Sequence, residues 1–247
     1  MGFNRLYQSI KQQTYQNIRH IVSYENNEDK KYLNGLDIDL LKVEPQQELQ
    51  KNATNKFGHK YAHYNLYCNQ LLDEVKEGWI LFIDDDDNLY HNKFIEEIVN
   101  LITKDTEGKT TEDEDVLFIW QMRYPNGKIL PSNSMISKGE IVISNIGAPC
   151  FLFHSKYKNK AKWDSYKGSD FRFLSQLAAS IPKKRFLKKI GIQINNFGDF
   201  GNRNDLSYRK NKKLPVSFYK NIFWYFLPKY HSEIFGIKIF NASTYLK

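Results

Sequence analysis

One junction in the sequence constrains the fold more than any other: the apolar segment Trp79-Ile80-Leu81-Phe82-Ile83 runs directly into four aspartates, Asp84 to Asp87. A continuous apolar run of this length is typical of a central β-strand buried on both faces. Strands of this kind belong to open α/β sheets, in which ligands bind at the carboxyl ends of the strands. The sequence therefore predicts an α/β fold with a carboxylate cluster at one edge of the sheet.

The four adjacent carboxylates repel one another unless a cation or solvent relieves the repulsion. Alternate side chains of an extended segment point the same way, so Asp84 and Asp86 are expected to converge. Their hard oxygens suit Mg²⁺ or Mn²⁺, which also accept phosphate oxygens. The alternative is a solvated acidic loop that caps the helix predicted to begin near Asn92. The position directly after a buried strand favours the metal site.

Composition limits the class of protein. A chain of 247 residues with 15% aromatic side chains is long enough for one sizeable core and is not typical of disorder. It has no apolar stretch of membrane-spanning length, and Met1 to Ile10 lacks a signal-peptide pattern. The only cysteines, Cys68 and Cys150, fit a reducing compartment, so we expect a cytoplasmic protein. A net charge of +8 suits nucleic acid, a membrane surface or a phosphorylated substrate.

Hydrophobic periodicity predicts alternating strands and helices in the first half, which favours a partly parallel sheet, and hairpin signals in the middle, which make the sheet mixed. Residues 26–31 are expected to form a turn, and 103–115 an irregular connection. The predicted helices are 6–13, 59–75, 92–103 and 170–179, and the predicted strands are 18–24, 37–43, 79–83, 116–123, 128–130, 140–146, 149–153 and 190–194.

Two motifs give the chain a resemblance to a known family. Residues 9–22 read S-I-K-Q-Q-T-Y-Q-N-I-R-H-I-V, close to the family pattern S-I-x-x-Q-T-Y-x-N-I-x-x-I-V. The second family pattern is N…G-x-x-x-F-[LI]-D-x-D-D, and its positions are filled by Asn69, Gly78, Phe82, Ile83, Asp84, Asp86 and Asp87. The chain thus resembles the family 2 glycosyltransferases, over about residues 5–93 and more loosely to 179.

The resemblance implies a GT-A-like (Rossmann-like) α/β fold over residues 1–205, with a mixed, mostly parallel sheet flanked by helices. It also implies transfer of a sugar from a nucleotide-sugar, UDP- or GDP-linked, to a hydroxyl of a glycan, lipid or protein. The metal, Mn²⁺ or Mg²⁺, would bridge the donor phosphates and stabilise the leaving diphosphate as a Lewis acid.

Individual roles follow from the same resemblance. Asp86 would be the direct metal ligand, with Asp87 supporting it. The residues expected to bind the nucleotide part of the donor are Glu25, Asn69, Asp84 and Asp85.

The chain also departs from the family pattern. It begins Met1-Gly2-Phe3-Asn4, so the first family strand, which ends in P-T-Y-N, is absent or shortened. Glu25 is the only carboxylate where the family has a D-D-G-S segment, and Cys68 stands where an Arg often precedes the Asn. These departures motivate a non-enzymatic alternative, a degenerate glycan-binding protein without turnover.

The general base of the transfer is predicted at the start of a late helix. The family usually places a carboxylate there, and Gly168-Ser169-Asp170-Phe171 resembles that place. Asp170 is therefore the candidate base, since a helix N-terminus favours its ionised form, and Ser169 is the expected helix cap. Asp170 as a mere helix-starting residue, and Asp164 as the base, are the alternatives. Trp163 is a candidate sugar platform or a core residue.

Residues 206–247 form a second region, a basic and aromatic C-terminal extension. Such a segment packs on the parent domain, lies on a membrane surface, or binds single-stranded nucleic acid. Packing is the commonest of the three, so we expect at most peripheral membrane contact, and nucleic acid is the least favoured partner.

A second enzymatic class also fits the aspartates: a metal-dependent phosphoryl transferase or nuclease. That chemistry needs further carboxylates from distant strands. It would require Glu140 or Asp170 to approach Asp86, and it predicts turnover of nucleic acid rather than of sugar nucleotides.

Overall fold

The structure, a computed structural model, describes residues 2–44, 54, 59–106 and 109–195. The predicted loop at 46–57 and the extension at 206–247 therefore lie wholly or mostly outside the described residues. The helices are α1 (Gly2–Lys11), α2 (Asn27–Leu33), α3 (Tyr67–Glu74), α4 (Phe94–Ile102), α5 (Asn133–Lys138) and α6 (Ser169–Ser180). The strands are β1 (Ile21–Tyr24), β2 (Asp39–Lys42), β3 (Trp79–Leu81), β4 (Asn88–Leu89), β5 (Thr103–Thr106), β6 (Lys109–Glu112), β7 (Val116–Arg123), β8 (Ile129–Leu130), β9 (Phe151–His154) and β10 (Lys183–Gln193).

The main sheet has six strands in the order β3-β9-β7-β10-β4, with β8 paired to β7. Only β7 and β10 are parallel in this sheet, and its other pairs are antiparallel. A mostly parallel sheet was therefore the wrong expectation: the sheet is mixed, because β9 inserts between β3 and β7 in the reverse direction. Two small sheets lie beside it, the parallel pair β1–β2 and the hairpin β5–β6.

The strand directions bring distant segments to one edge of the main sheet. Since β9 is antiparallel to both β3 and β7, those two strands run the same way, and β10 runs parallel to β7. The carboxyl ends of β3, β7 and β10 therefore share an edge with the beginnings of β4 and β9. We call it the carboxyl edge.

Strand β7 is the centre of the core. Leu117 and Ile119 pack on one face with Leu72 of α3 and the apolar side of α6. Phe118 and Trp120 pack on the other face with the apolar side of α4. Burial on both faces was predicted for β3, but there only Ile80 is fully buried. The reason is that β3 pairs with a single neighbour in the described part of the chain.

Gly191 shows how closely α4 packs on β10. A methyl group at this position would lie 2.3 Å from Phe94 Cζ and 2.7 Å from Trp120 Nε1. The strand backbone replaces a side chain at this contact, and Phe94 and Trp120 fill the space edge to face, with ring centroids 4.9 Å apart.

Several predicted elements differ from the observed ones. The expected turn at 26–31 is helix α2, because the Asn26 side chain caps it by accepting from Asp29 N. The connection at 103–115 contains the hairpin β5–β6. Helix α5 occupies 133–138, and 140–146 contains no strand. The predicted helix 59–75 shortens to a 3₁₀ turn, His63–Leu66, followed by α3. No helix within the described residues is long and apolar enough to cross a membrane.

Candidate active site

The aspartate segment lies at the carboxyl edge as a tight turn. Strand β3 ends at Leu81, and the backbone N–H of Asp87 donates to the carbonyl of Asp84 at 3.1 Å. The expected extended geometry is therefore wrong, because the chain must reverse to enter the antiparallel strand β4. Asp84 and Asp86 are nevertheless neighbours: the charge of Asp86 is the largest charge effect on Asp84.

Asp84 lies just beyond the end of β3 at the carboxyl edge, and the residue is exposed. Desolvation by the nearby protein nevertheless raises the pKa of its carboxyl to about 7. The charges of Asp86, Asp170 and Asp85 add to this shift in that order. The effect of Asp170 shows that the fold brings the predicted base near the aspartate turn, although the sequence separates them widely.

Asp87 faces inward, unlike its neighbours. It is 2% exposed, and its Oδ1 accepts a hydrogen bond from the backbone N–H of Asn195 at 3.1 Å. Burial raises its pKa to about 8, and the charge of Asp84 adds to this effect. Its carboxylate thus fastens the turn to the end of β10 rather than pointing into solvent.

Asn195 is the residue of this site that sequence reasoning missed. Its side-chain Nδ2 donates to the carbonyl of Asp86 at 2.9 Å and to Oδ1 of Asn88 at 2.8 Å. Together with its backbone bond to Asp87, it contacts three consecutive residues of the aspartate segment. The only sequence signal for Asn195 is that it directly follows a predicted strand, as Asp84 also does.

We expect Asn195→Ala to destabilise the fold by about 1–3 kcal/mol, because two hydrogen bonds at a half-buried position are lost. Asn195→Asp should cost at least as much, since it also places a negative charge beside Asp86. Urea denaturation measures both. An alanine variant as stable as the parent would show that these bonds do not hold the turn.

Asp170 lies in the first turn of α6, but the residue at the cap position is not the predicted Ser169. Gly168 occupies the cap position with φ 80°, and the Ser169 hydroxyl instead accepts from the backbone N–H of Asp164 at 2.8 Å. The Asp170 carboxylate is half-buried, and its Oδ1 accepts from Phe171 N at 2.8 Å. The surrounding protein raises its pKa to about 6, so it is largely ionised at neutral pH.

A polar network holds the loop that precedes Asp170. Arg172 binds both carboxylate oxygens of Asp164, at 2.5 and 2.6 Å, and also donates to the carbonyl of Tyr166 at 2.9 Å. Asp164 is therefore occupied by this ion pair, which favours Asp170 among the two candidate bases. The backbone of 60–62 pairs with 165–167 and completes the support.

Asn69 also supports this loop. Its side-chain amide donates to Trp163 O at 2.9 Å and accepts from Trp163 N at 3.0 Å. Trp163 itself is 3% exposed and stacks on Phe173 with ring centroids 4.7 Å apart, so it is a core residue rather than a sugar platform. Glu25 is half-buried directly after β1.

Tyr124, at the end of β7, is a second residue that the sequence did not single out. Burial raises its pKa to about 12, with smaller contributions that include the charges of Asp87, Asp170 and Asp84. Its phenol is therefore a neutral hydrogen-bond donor close to the carboxylates. It follows its strand just as Asp84 follows β3, which is the signal that could have found it.

The carboxylates supply only part of a metal's coordination. Within the described ranges, no group of three or more His, Cys, Asp or Glu side chains is arranged to hold a metal ion. Asp84 and Asp86 nevertheless provide hard oxygens, and the charge of Asp86 helps to raise the pKa of Asp84. This donor set fits Mg²⁺ or Mn²⁺ bound mainly by phosphate oxygens and water, which is how such ions often bind with one or two carboxylates.

The mixed sheet and its flanking helices form an α/β fold that is GT-A-like, as comparison with solved structures shows. The fold is similar to the crystal structure of Staphylococcus aureus TarS, a family 2 glycosyltransferase with a GT-A fold, with a TM-score of 0.55 and 16% sequence identity. That match covers 94% of this chain and 41% of the TarS chain. A structure of TarS residues 1–349 matches with a TM-score of 0.52 and 15% identity, over 78% of this chain and 56% of that one.

These matches show the fold, and this chain spans well under two thirds of either TarS chain. No protein-family profile matches the sequence, and no curated protein sequence matches it significantly.

Proposed function

We propose that the protein is a metal-dependent glycosyltransferase that moves a sugar from a nucleoside-diphosphate sugar to an acceptor hydroxyl. The observation that carries the proposal is that Asp86 and Asp170 both lie near enough to Asp84, at the carboxyl edge, for their charges to raise its pKa. The likeness of the fold to TarS supports it. In this arrangement the aspartate turn would hold a cation and the diphosphate, and Asp170 would be the base.

The donor side of the site is the aspartate turn. Asp86 is the direct metal ligand in this proposal, and Mn²⁺ or Mg²⁺ supplies Lewis-acid stabilisation of the departing diphosphate when bound. Asp87 supports Asp86 indirectly: its carboxylate accepts from Asn195 N, and this bond holds the turn on which Asp86 lies. Asp84 and the exposed Asp85 lie toward the nucleotide. Glu25 is also assigned to binding of the nucleotide in this proposal. Asn69 contributes indirectly, because its side chain holds the backbone of Trp163.

The acceptor side is Asp170. Its carboxylate accepts the proton of the acceptor hydroxyl as that oxygen bonds to the anomeric carbon and the bond to the nucleoside diphosphate breaks. A pKa of about 6 suits this role, because the group is ionised at neutral pH but remains basic enough to take a proton. The acceptor is a hydroxyl of a glycan, lipid or protein, and the basic extension 206–247 is the proposed region for membrane contact.

The test is release of nucleoside diphosphate by the full chain from UDP- and GDP-sugars, with Mn²⁺ or Mg²⁺ and with EDTA. We expect release, by hydrolysis or transfer, only with the metal. No release from any sugar nucleotide, in a protein shown to be folded, would overturn the proposal.

We also expect the stability of the metal-free protein to fall as pH rises from about 6.5 to 8. Asp84 and Asp87 have folded-state pKa values of about 7 and 8, above the unfolded value near 3.9, so the folded state holds more protons in this window. Below about pH 6.5, His20 has the opposite effect on stability. Burial lowers its folded-state pKa to about 4, so the unfolded state holds more protons there and stability rises with pH. Melting temperature measures the effect, and Mn²⁺ should raise it more at pH 8 than at pH 6.

The matched variants for this measurement are Asp87→Asn and Asp73→Asn. The first removes a titrating group but keeps an oxygen that accepts from Asn195, so it should flatten the pH dependence. The second changes an exposed carboxylate on α3 and should leave the curve unaltered. A parent curve that is level across this range would contradict the electrostatic description of the aspartate turn.

Phosphoryl transfer to or from nucleic acid is the second candidate, since Asp170 does come near the aspartate turn. It is less well supported, because the described residues contain no carboxylate group of the size that a two-metal centre needs. Cleavage of single- or double-stranded nucleic acid, with no release from sugar nucleotides, would favour it.

A further inference from the structure

A groove of about 370 Å³ runs along α1. One wall is α1, and the other is β4 with the turn that follows it, residues 90–92. At one end Gly2 touches the aspartate turn, since a methyl group there would lie 3.0 Å from Asp86 Cα. At the other end Thr14 N donates to the carbonyl of Asn92 at 2.8 Å. The groove, which we call the α1 groove, therefore begins beside the proposed donor site.

Buried bonds between its walls make the groove rigid. Gln13 is 1% exposed, and its side chain donates to the carbonyls of Ser9 and His91 and accepts from Ile95 N. Near the middle, Leu89 N donates to the Ser9 hydroxyl at 3.2 Å. The distance between the two walls is thus fixed before any ligand arrives.

The lining of the groove is rich in free amides. The side chains of Asn4 and Gln8 lie four residues apart on α1, and Gln12 lies four residues further, in the turn just past the helix, where its N–H still donates to Gln8 O at 3.0 Å. Asn92 lies on the opposite wall. None of these four side chains has a hydrogen-bond partner among the described residues. Along the helix axis the three amides are spaced by about 6 Å, because a helix rises about 1.5 Å per residue. This repeat is comparable to the length of one sugar unit in a chain.

An aromatic ring completes the lining. Tyr90 is 37% exposed, and its hydroxyl accepts from Arg123 Nη1 at 2.9 Å, which fixes the ring. Arg5 and His91 are the only titratable groups of the lining besides this phenol, and it contains no carboxylate. Amides both donate and accept, as sugar hydroxyls do, and a fixed aromatic face packs against sugar rings. The chemistry suits a neutral, hydroxyl-rich chain.

We infer that the α1 groove binds a linear, neutral glycan. Resting on the proposed function, the glycan is the part of the acceptor remote from the reacting hydroxyl, so the acceptor is a glycan rather than a lipid or protein. Each successive amide along this wall, from Asn4 to Gln12, contacts a successive sugar unit, and affinity therefore grows with chain length until the groove is filled.

The experiment measures binding of the full chain to neutral oligosaccharides of the maltose, cellulose and chitin series, from disaccharide to octasaccharide, by titration calorimetry. We expect at least one series to bind with an affinity that rises with length. Gln8→Ala with Gln12→Ala should weaken the longest member roughly tenfold, since about two hydrogen bonds are lost. Both sites are exposed, Gln8 on α1, where alanine favours the helix, and Gln12 in the turn that follows it, so the variant stays folded.

The matched control is Asn100→Ala with Asn159→Ala, which removes two exposed amides outside the groove and should leave binding unaltered. The inference is overturned if no series binds, if the double glutamine variant binds as the parent does, or if only extended peptides bind. Donor hydrolysis without acceptor should be equal in the parent and the glutamine variant. A parent that binds oligosaccharide but releases no nucleoside diphosphate would leave the groove assignment standing while the proposed function fails.

Discussion

Replacing Asp86 by alanine is expected to lower the rate of metal-dependent sugar transfer by at least about a thousandfold. The bound metal supplies several kcal/mol of stabilisation to the leaving diphosphate, and each 1.4 kcal/mol or so is a factor of ten in rate. Asp86 is the carboxylate proposed to hold that metal, and it is the strongest charged neighbour of Asp84. Steady-state release of nucleoside diphosphate, with saturating Mn²⁺, measures the loss.

Two comparisons separate loss of the metal site from loss of the fold. Asp86→Asn keeps the shape and removes the charge, and should be nearly as inactive as the alanine variant. It should also lower the pKa of Asp84 from about 7, because the largest charge effect on that group is gone. Asp73→Asn, on the exposed side of α3, should keep full activity. Activity of Asp86→Ala close to that of the parent would mean that the assignment of the donor site is wrong.

Replacing Asp170 by asparagine should reduce transfer by about a hundredfold to ten-thousandfold, the usual contribution of a general base. Asparagine keeps the oxygen that accepts from Phe171 N, so the start of α6 is preserved. The donor KM should remain within about twofold of the parent value, because Asp170 acts on the acceptor rather than on the diphosphate.

The pH profile gives this prediction a second measurement. In the parent, the transfer rate should rise with pH through about 6, as Asp170 loses its proton and becomes able to accept another. The residual rate of Asp170→Asn should lack that step. A variant that keeps both the parent rate and the step would exclude Asp170 as the base, and Asp164 is an unlikely replacement because Arg172 binds both of its oxygens.

Local sequence patterns were enough to place the four aspartates at the end of a strand and to locate the helix that carries the proposed base, Asp170. The apolar run before Asp84 predicts a strand, and the periodic apolar residues after Asp170 predict α6, because both signals depend on neighbours in the chain. The motifs at 9–22 and 69–87 predicted a GT-A-like fold, and the comparison with TarS shows a fold of that type.

Where sequence prediction failed, the deciding interactions were between distant residues. Helix periodicity placed 59–75 in one helix, but pairing of 60–62 with 165–167 shortens it. The run at 79–83 has the composition of a buried central strand, yet β7 takes that place because three strands pair with it and helices pack on both of its faces. A strand's own residues specify that it is apolar; its position in the sheet depends on its partners.

The sequence by itself determined which chemical groups this protein offers: four carboxylates after an apolar strand, and a carboxylate at the start of a helix. Only the tertiary structure decided that the aspartates form a turn, that Asp170 lies near Asp84, that Asp87 turns inward, and that Asn195 contacts the turn from 108 residues away. The physical reason is that hydrophobic periodicity acts over a few residues. The electrostatics of the aspartate turn, in contrast, depend on the reversed strand β9 and on the parallel pairing of β7 with β10, which fix distant segments at one edge.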